Sequence, residues 1–190
     1  MADQLRTYLE EHMAVVNQME QLLPQVEAAA EAVTRALANG GTLYVFGNGG
    51  SAADAQHFAA ELTGRYRRER TPLPAVALTT DSSALTCIGN DYAFADVFVR
   101  QVQALVRKGD VVFGITTSGN SENVLRALTI AKEKGAVTVT LTGGTGGKVA
   151  ALADHALVVP SKTTARIQEM HIFMIHCICE RIDDWALREV

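Results

Sequence analysis

Five short apolar runs, bounded by turn residues and separated by helix-like stretches, set the strongest limit on what this chain can become. They are Leu43–Phe46, Ala75–Leu78, Val111–Thr116, Val137–Leu141 and Ala156–Val159. Runs of this length and apolarity suit strands covered on both faces of a sheet. Helical spacing predicts helices between them at Ala52–Thr63, at Ser82–Ile88 with Phe94–Leu105, at Ser121–Lys134, and briefly after Gly147. A last helix is expected over Thr164–Arg188. Strands alternating with helices imply a parallel sheet inside an α/β sandwich. Upstream, residues 1–39 read as helix broken near Pro24. Leu5, Leu9, Met13, Val16, Met19 and Leu22–Leu23 recur at helical spacing, as do Val26, Ala30, Val33 and Leu37. Asn39-Gly40-Gly41 ends that segment. No repeat or linker interrupts the 190 residues, so a single domain with a sizeable core is expected.

Open parallel sheets bind ligands beyond the carboxyl ends of their strands. Two loops fall there. The first, Gly47-Asn48-Gly49-Gly50-Ser51, lets the backbone turn sharply and approach a ligand. Ser51 is expected at the N-cap of the next helix, where free N–H groups and the dipole attract an anion. The second, Thr116-Thr117-Ser118-Gly119-Asn120-Ser121, offers four hydroxyls and another helix start. Either loop alone could be a hydrophilic turn, with Ser121 merely capping its helix. Together they favour a phosphate seat. Neither carries the lysine of a Walker A loop, nor is there a Gly-x-Gly-x-x-Gly, so a small sugar phosphate fits better than a nucleotide.

His57 and Glu61 stand four residues apart in the helix that leaves the first loop, hence on one face. They are a surface pair, two metal ligands, or a ligand and a base. The last helix carries Gln168, Glu169, His171 and His176 among apolar neighbours, and any that are buried need partners. His155 is expected to be inert.

Composition excludes several classes. The net charge of −4 gives no general basic surplus for nucleic acid. No apolar run is long enough to span a bilayer, and Met1-Ala2-Asp3-Gln4 does not open a signal peptide. A cytoplasmic protein is expected. Cys87, Cys177 and Cys179 make no disulfide framework and read as buried reduced thiols.

Four separated motifs, in order, carry a resemblance: the run Gly47–Arg65, the pair Asn90-Asp91, the loop Thr116–Ser121, and Arg166–His171 with His176. They resemble the phosphoheptose isomerases of the SIS sugar-phosphate-binding fold, over nearly the whole chain. The resemblance implies one SIS domain over residues 1–190, a flavodoxin-like three-layer sandwich around a five-stranded parallel sheet. Residues 1–39 would serve oligomer packing. It also implies isomerisation of sedoheptulose 7-phosphate to D-glycero-D-manno-heptose 7-phosphate, the first step toward activated heptose for lipopolysaccharide or other surface glycans. A cytoplasmic homotetramer with one zinc ion per subunit is implied, without nucleic-acid or membrane partners. The ligands would be His57, Glu61, Gln168 and His176. Glu61 and His176 would be the acid/base pair, with His171 competing for the second role. Substrate contacts would fall on Asn48, Gly49, Gly50, Ser51, Glu61, Arg65, Asn90, Asp91, Thr116, Thr117, Ser118, Ser121 and Gln168. Some members have Asp where this chain has Ala165. Related non-enzymatic adaptors bind the bacterial replication initiator, and residues 164–171 with Cys177-Ile178-Cys179 also resemble them. An adaptor needs a contact surface and no acid/base pair, so Glu61 and His176 discriminate. Sugar-phosphate-sensing regulators share the fold but usually carry a DNA-binding segment, which the few acidic N-terminal helices do not resemble.

Overall fold

The computed structural model describes residues 2–188. Its centre is a five-stranded sheet of β1 (Leu43–Gly47), β2 (Ala75–Ala77), β3 (Val111–Ile115), β4 (Val137–Gly143) and β5 (His155–Val159). The strands run in the order β2-β1-β3-β4-β5, and every neighbouring pair is parallel. Successive side chains leave a strand on opposite faces. Leu43 and Val45 therefore enter one core, with Phe113, Leu141 and Leu157. Tyr44 and Phe46 enter the other, with Val112 and Leu78.

The first core is covered by α1 (Ala2–Val16), α2 (Leu23–Ala38), α3 (Gly50–Thr63) and α8 (Thr164–Ala186). Phe58 of α3 meets Phe113 edge-on at 5.3 Å between ring centroids. The second core is covered by α4 (Ser82–Asp91), α5 (Val99–Leu105), α6 (Glu122–Glu133) and α7 (Gly147–Leu152). Three layers result, as expected.

Local departures have local causes. The N-terminal break precedes Pro24: α1 ends at Val16, a 3-10 turn spans Met19–Leu22, and Pro24 sits in the first turn of α2. Proline is tolerated there because that N–H has no intrahelical acceptor. The helix expected over Phe94–Leu105 is a 3-10 turn, Phe94–Asp96, followed by α5. The α2 helix stops where Gly40 turns back at φ 79°. Contrary to expectation, Cys87 is exposed and Cys177 half-buried; only Cys179 is buried, and all three are free.

Candidate active site

Strand order reverses between β1 and β3, so the loops that follow them face each other at a topological switch point. The Asn48 and Asn123 side-chain amides exchange two hydrogen bonds of 2.9 Å across the gap. Asn48, Ser51, Thr116, Thr117, Ser121, Thr164 and Gln168 line a cavity of about 220 Å³ between them.

Each loop is shaped for approach. Gly49 takes φ 57° and is itself the N-cap of α3, so Ser51 is not the cap expected; it lies buried in the first turn. A Cβ on Gly50 would run into the Gln168 amide, so that side chain lies directly over the start of α3. Ser121 does occupy the N-cap position of α6, but its hydroxyl makes no capping bond. It meets Thr116 Oγ1 at 2.9 Å instead, and Ser118 Oγ is 3.4 Å from the same atom. Three hydroxyls thus cluster before an uncapped helix start, which suits an anion. Backbone contact fixes this loop from behind: a Cβ on Gly119 (φ 68°) would collide with the Gly146 carbonyl.

Farther along α3 and α8 stands a second cluster. His57 Nε2 lies 2.9 Å from Glu61 Oε1 and 3.3 Å from His176 Nε2. Ligand atoms of all three residues lie within 4.8 Å of one another. A tetrahedral ion with zinc-like bond lengths separates neighbouring ligand nitrogens by about 3.3 Å, so the two imidazoles already stand at such an edge. Burial and the facing His57 push His176 below the ordinary imidazole range, while Glu61 opposes them. The Tyr66 ring packs against His176 with centroids 5.7 Å apart. Nearby Asp54 has a buried Oδ2 without a partner, and its pKa is raised by desolvation.

His171 stands elsewhere. It is fully buried, its Nε2 faces the Thr142 carbonyl at 3.2 Å, and desolvation drives its pKa down to about 4. It is a core histidine, and His176 is the one that meets His57.

Within one protomer the expected residues divide into three groups. Asn48, Ser51, Thr116, Thr117, Ser121 and Gln168 line the cavity, with Gly49, Gly50 and Ser118 in its loops. His57, Glu61 and His176 meet, whereas Gln168 belongs to the cavity wall. Asn90, Asp91 and Arg65 line neither cluster. Asn90 and Asp91 bond each other at the exposed end of α4, and Arg65 is exposed in the loop after α3. Sequence reasoning missed Asn123, Thr164 and Tyr66. Asn123 lies just beyond the hydroxyl loop and could have been noted; nothing in the sequence marks the other two.

A family model described as the SIS domain matches residues 7–143. The phosphoheptose isomerase of Helicobacter hepaticus is 53% identical over 172 residues, 90% of this chain and 88% of that protein. That of Aquifex aeolicus is 56% identical over 160 residues, 84% of each chain. The solved phosphoheptose isomerase of Neisseria gonorrhoeae superposes with a TM-score of 0.92 at 49% identity, covering 96% of this chain and 98% of that one. The fold and these similarities define a SIS-domain sugar-phosphate enzyme. The chain belongs to the phosphoheptose isomerase family. The adaptor reading finds no support in these relatives. Among the described residues, no helix is long and apolar enough to cross a membrane.

Proposed function

We propose that this chain isomerises sedoheptulose 7-phosphate to D-glycero-D-manno-heptose 7-phosphate through an enediol, in the cytoplasm. One observation carries the reading: an anion seat stands at the start of a helix pair and an imidazole–carboxylate cluster farther along the same pair. Ser51 and His57 are six residues apart on α3, about 9 Å along its axis. Gln168 and His176 are eight residues apart on α8, about 12 Å. A seven-carbon sugar phosphate laid along these helices puts its phosphate at one cluster and its C1–C2 bond at the other.

In this reading Ser51, Thr116, Ser118 and Ser121 hold the phosphate with the first N–H groups of α6. Asn48, Gly49, Gly50, Thr117 and Gln168 orient the chain that leads from it. Glu61, with Oε1 toward His57, takes the C1 proton through its other carboxylate oxygen and returns it to C2. His176 serves the two oxygens: it gives a proton to O2 as the enediol forms and takes one from O1 as the aldehyde forms. His57, Glu61 and His176 fit one zinc ion per subunit; Gln168, the fourth candidate ligand, lies over Gly50 in the cavity wall and joins them only by leaning toward His176 or from another subunit. Zinc supplies Lewis-acid polarisation of substrate oxygens when bound.

We further read the protein as one SIS domain acting as a homotetramer. Leu5, Leu9 and Met13 leave more than half of their surface exposed along α1, a stripe that a second copy would cover. Asn90, Asp91 and Arg65 reach a substrate only in such an assembly. The deciding experiment incubates purified protein with sedoheptulose 7-phosphate and follows the sugar by NMR, since substrate and product share one mass. New aldose signals support the reading; unchanged ketose after zinc loading ends it.

A further inference from the structure

We infer that Arg70 is a positioning residue that, with Asp183, sets the spacing between Glu61 and His176. Both side chains are wholly excluded from solvent and meet at 2.7 Å. Such a pair is costly to bury and is weak evidence for stability by itself, so its geometry matters more than its charge. Arg70 Nη2 donates to the backbone carbonyl of Glu61 itself at 2.7 Å. Arg70 Nη1 donates to the carbonyls of Leu62 and Thr71 at 3.0 and 3.2 Å. The guanidinium thus takes up carbonyls that the last turn of α3 leaves without helical donors. Its Nε is spent on Asp183 Oδ1, and Asp183 Oδ2 accepts from the backbone N–H groups of Arg67 and Arg68.

Asp183 stands seven residues beyond His176, on the same face of α8 two turns away. One rigid fork therefore joins the backbone of the proposed base to the helix that carries its imidazole partner. Lysine can replace the charge, but its single ammonium cannot span three carbonyls and a carboxylate. Supporting contacts of this kind typically govern metal affinity or activity by 10–100-fold.

This inference rests on the function proposed above, and the experiment separates the two. The proteins compared are the parent chain, Arg70→Lys and Arg181→Ala, all full length. Arg181 pairs α8 with Glu27 of α2 and with its own neighbour Asp184, bonds neither Arg70 nor Asp183, and controls for general loosening of that helix. Three quantities are measured: Zn²⁺ affinity by chelator competition, the visible spectrum of the Co²⁺-loaded protein, and kcat and KM with sedoheptulose 7-phosphate. Arg70→Lys is expected to bind Zn²⁺ about tenfold or more weakly, shift the Co²⁺ bands and lower kcat with KM little changed, while Arg181→Ala matches the parent. Parent-like affinity, spectrum and kcat in Arg70→Lys would overturn the inference. So would equal losses in Arg181→Ala. If Arg70→Lys does not fold, Asp183→Asn decides by the same measurements. A parent chain that turns over without taking up metal refutes the zinc assignment alone, and the kcat comparison then judges Arg70. A parent chain with neither property refutes both.

Discussion

Replacing Glu61 by Gln separates chemistry from folding. Its side chain is about one-fifth exposed and, among the described residues, hydrogen-bonds only to His57, itself about two-fifths exposed, so losing the pair costs at most about 1 kcal/mol. For a chain of this size that is a Tm change of about 2–4 °C. The core anchors of α3 are Phe58 and Leu62, which the substitution leaves alone. Loss of a positioned general base lowers kcat by about 10²–10⁴, equivalent to about 3–5 kcal/mol in the barrier. The assay is NMR turnover of sedoheptulose 7-phosphate, at zinc concentrations where bound metal is verified by elemental analysis, with Tm by circular dichroism. Verified loading keeps a weakened ligand from being mistaken for a missing base. A loaded Glu61→Gln protein within a few-fold of the parent kcat would refute the assignment.

The two histidines of α8 should respond oppositely. His176→Ala should abolish turnover with Tm nearly unchanged. His171→Ala should cost about 2 kcal/mol or more of stability while the folded fraction retains turnover, and denaturant melts beside kinetics would expose a reversed order. Stability should also depend on pH through His171. Its pKa is about 4 when folded and near 6.5 when unfolded, so the unfolded chain binds the proton first. Its neutral form carries the full contribution above pH 6.5, and about 3 kcal/mol drains away as pH falls toward 4. Urea melts between pH 7 and 4 should flatten in His171→Gln, and an unchanged slope would show that other groups govern the window. Removing metal with a chelator should lower activity, and Zn²⁺ should restore it; full activity after verified removal would make zinc incidental.

The sheet was legible because its strands are apolar runs between turn signals, a pattern that local chemistry writes directly. The His57–Glu61 pair was equally legible, since four residues on one helix must share a face. What local pattern could not give was the meeting of α3 with α8. That contact is built from residues distant in sequence, such as Arg70 and Asp183, 113 residues apart, and His176 entered the site only through family resemblance. The Ser51 assignment failed for a simpler reason. A serine after two glycines looks like a cap, but Gly49 at φ 57° caps the helix two residues earlier. The Phe94–Leu105 helix failed because an exposed 3-10 turn precedes the buried stretch and does not join it. Gln168 lying over Gly50 had no sequence signal, because only the missing Cβ makes room for it.

The order of elements along the chain also has a consequence for synthesis. Translation delivers the glycine-bearing loop, and with it His57 and Glu61, well over a hundred residues before α8 supplies His176, and the hydroxyl-bearing loop about midway between. On the proposed function, a nascent polypeptide therefore carries two loops of the anion seat and half a chelating set, but neither the cavity wall of Thr164 and Gln168 nor a complete triad. The proposed site is then complete only when the final helix docks, which ties its assembly to completion of the core.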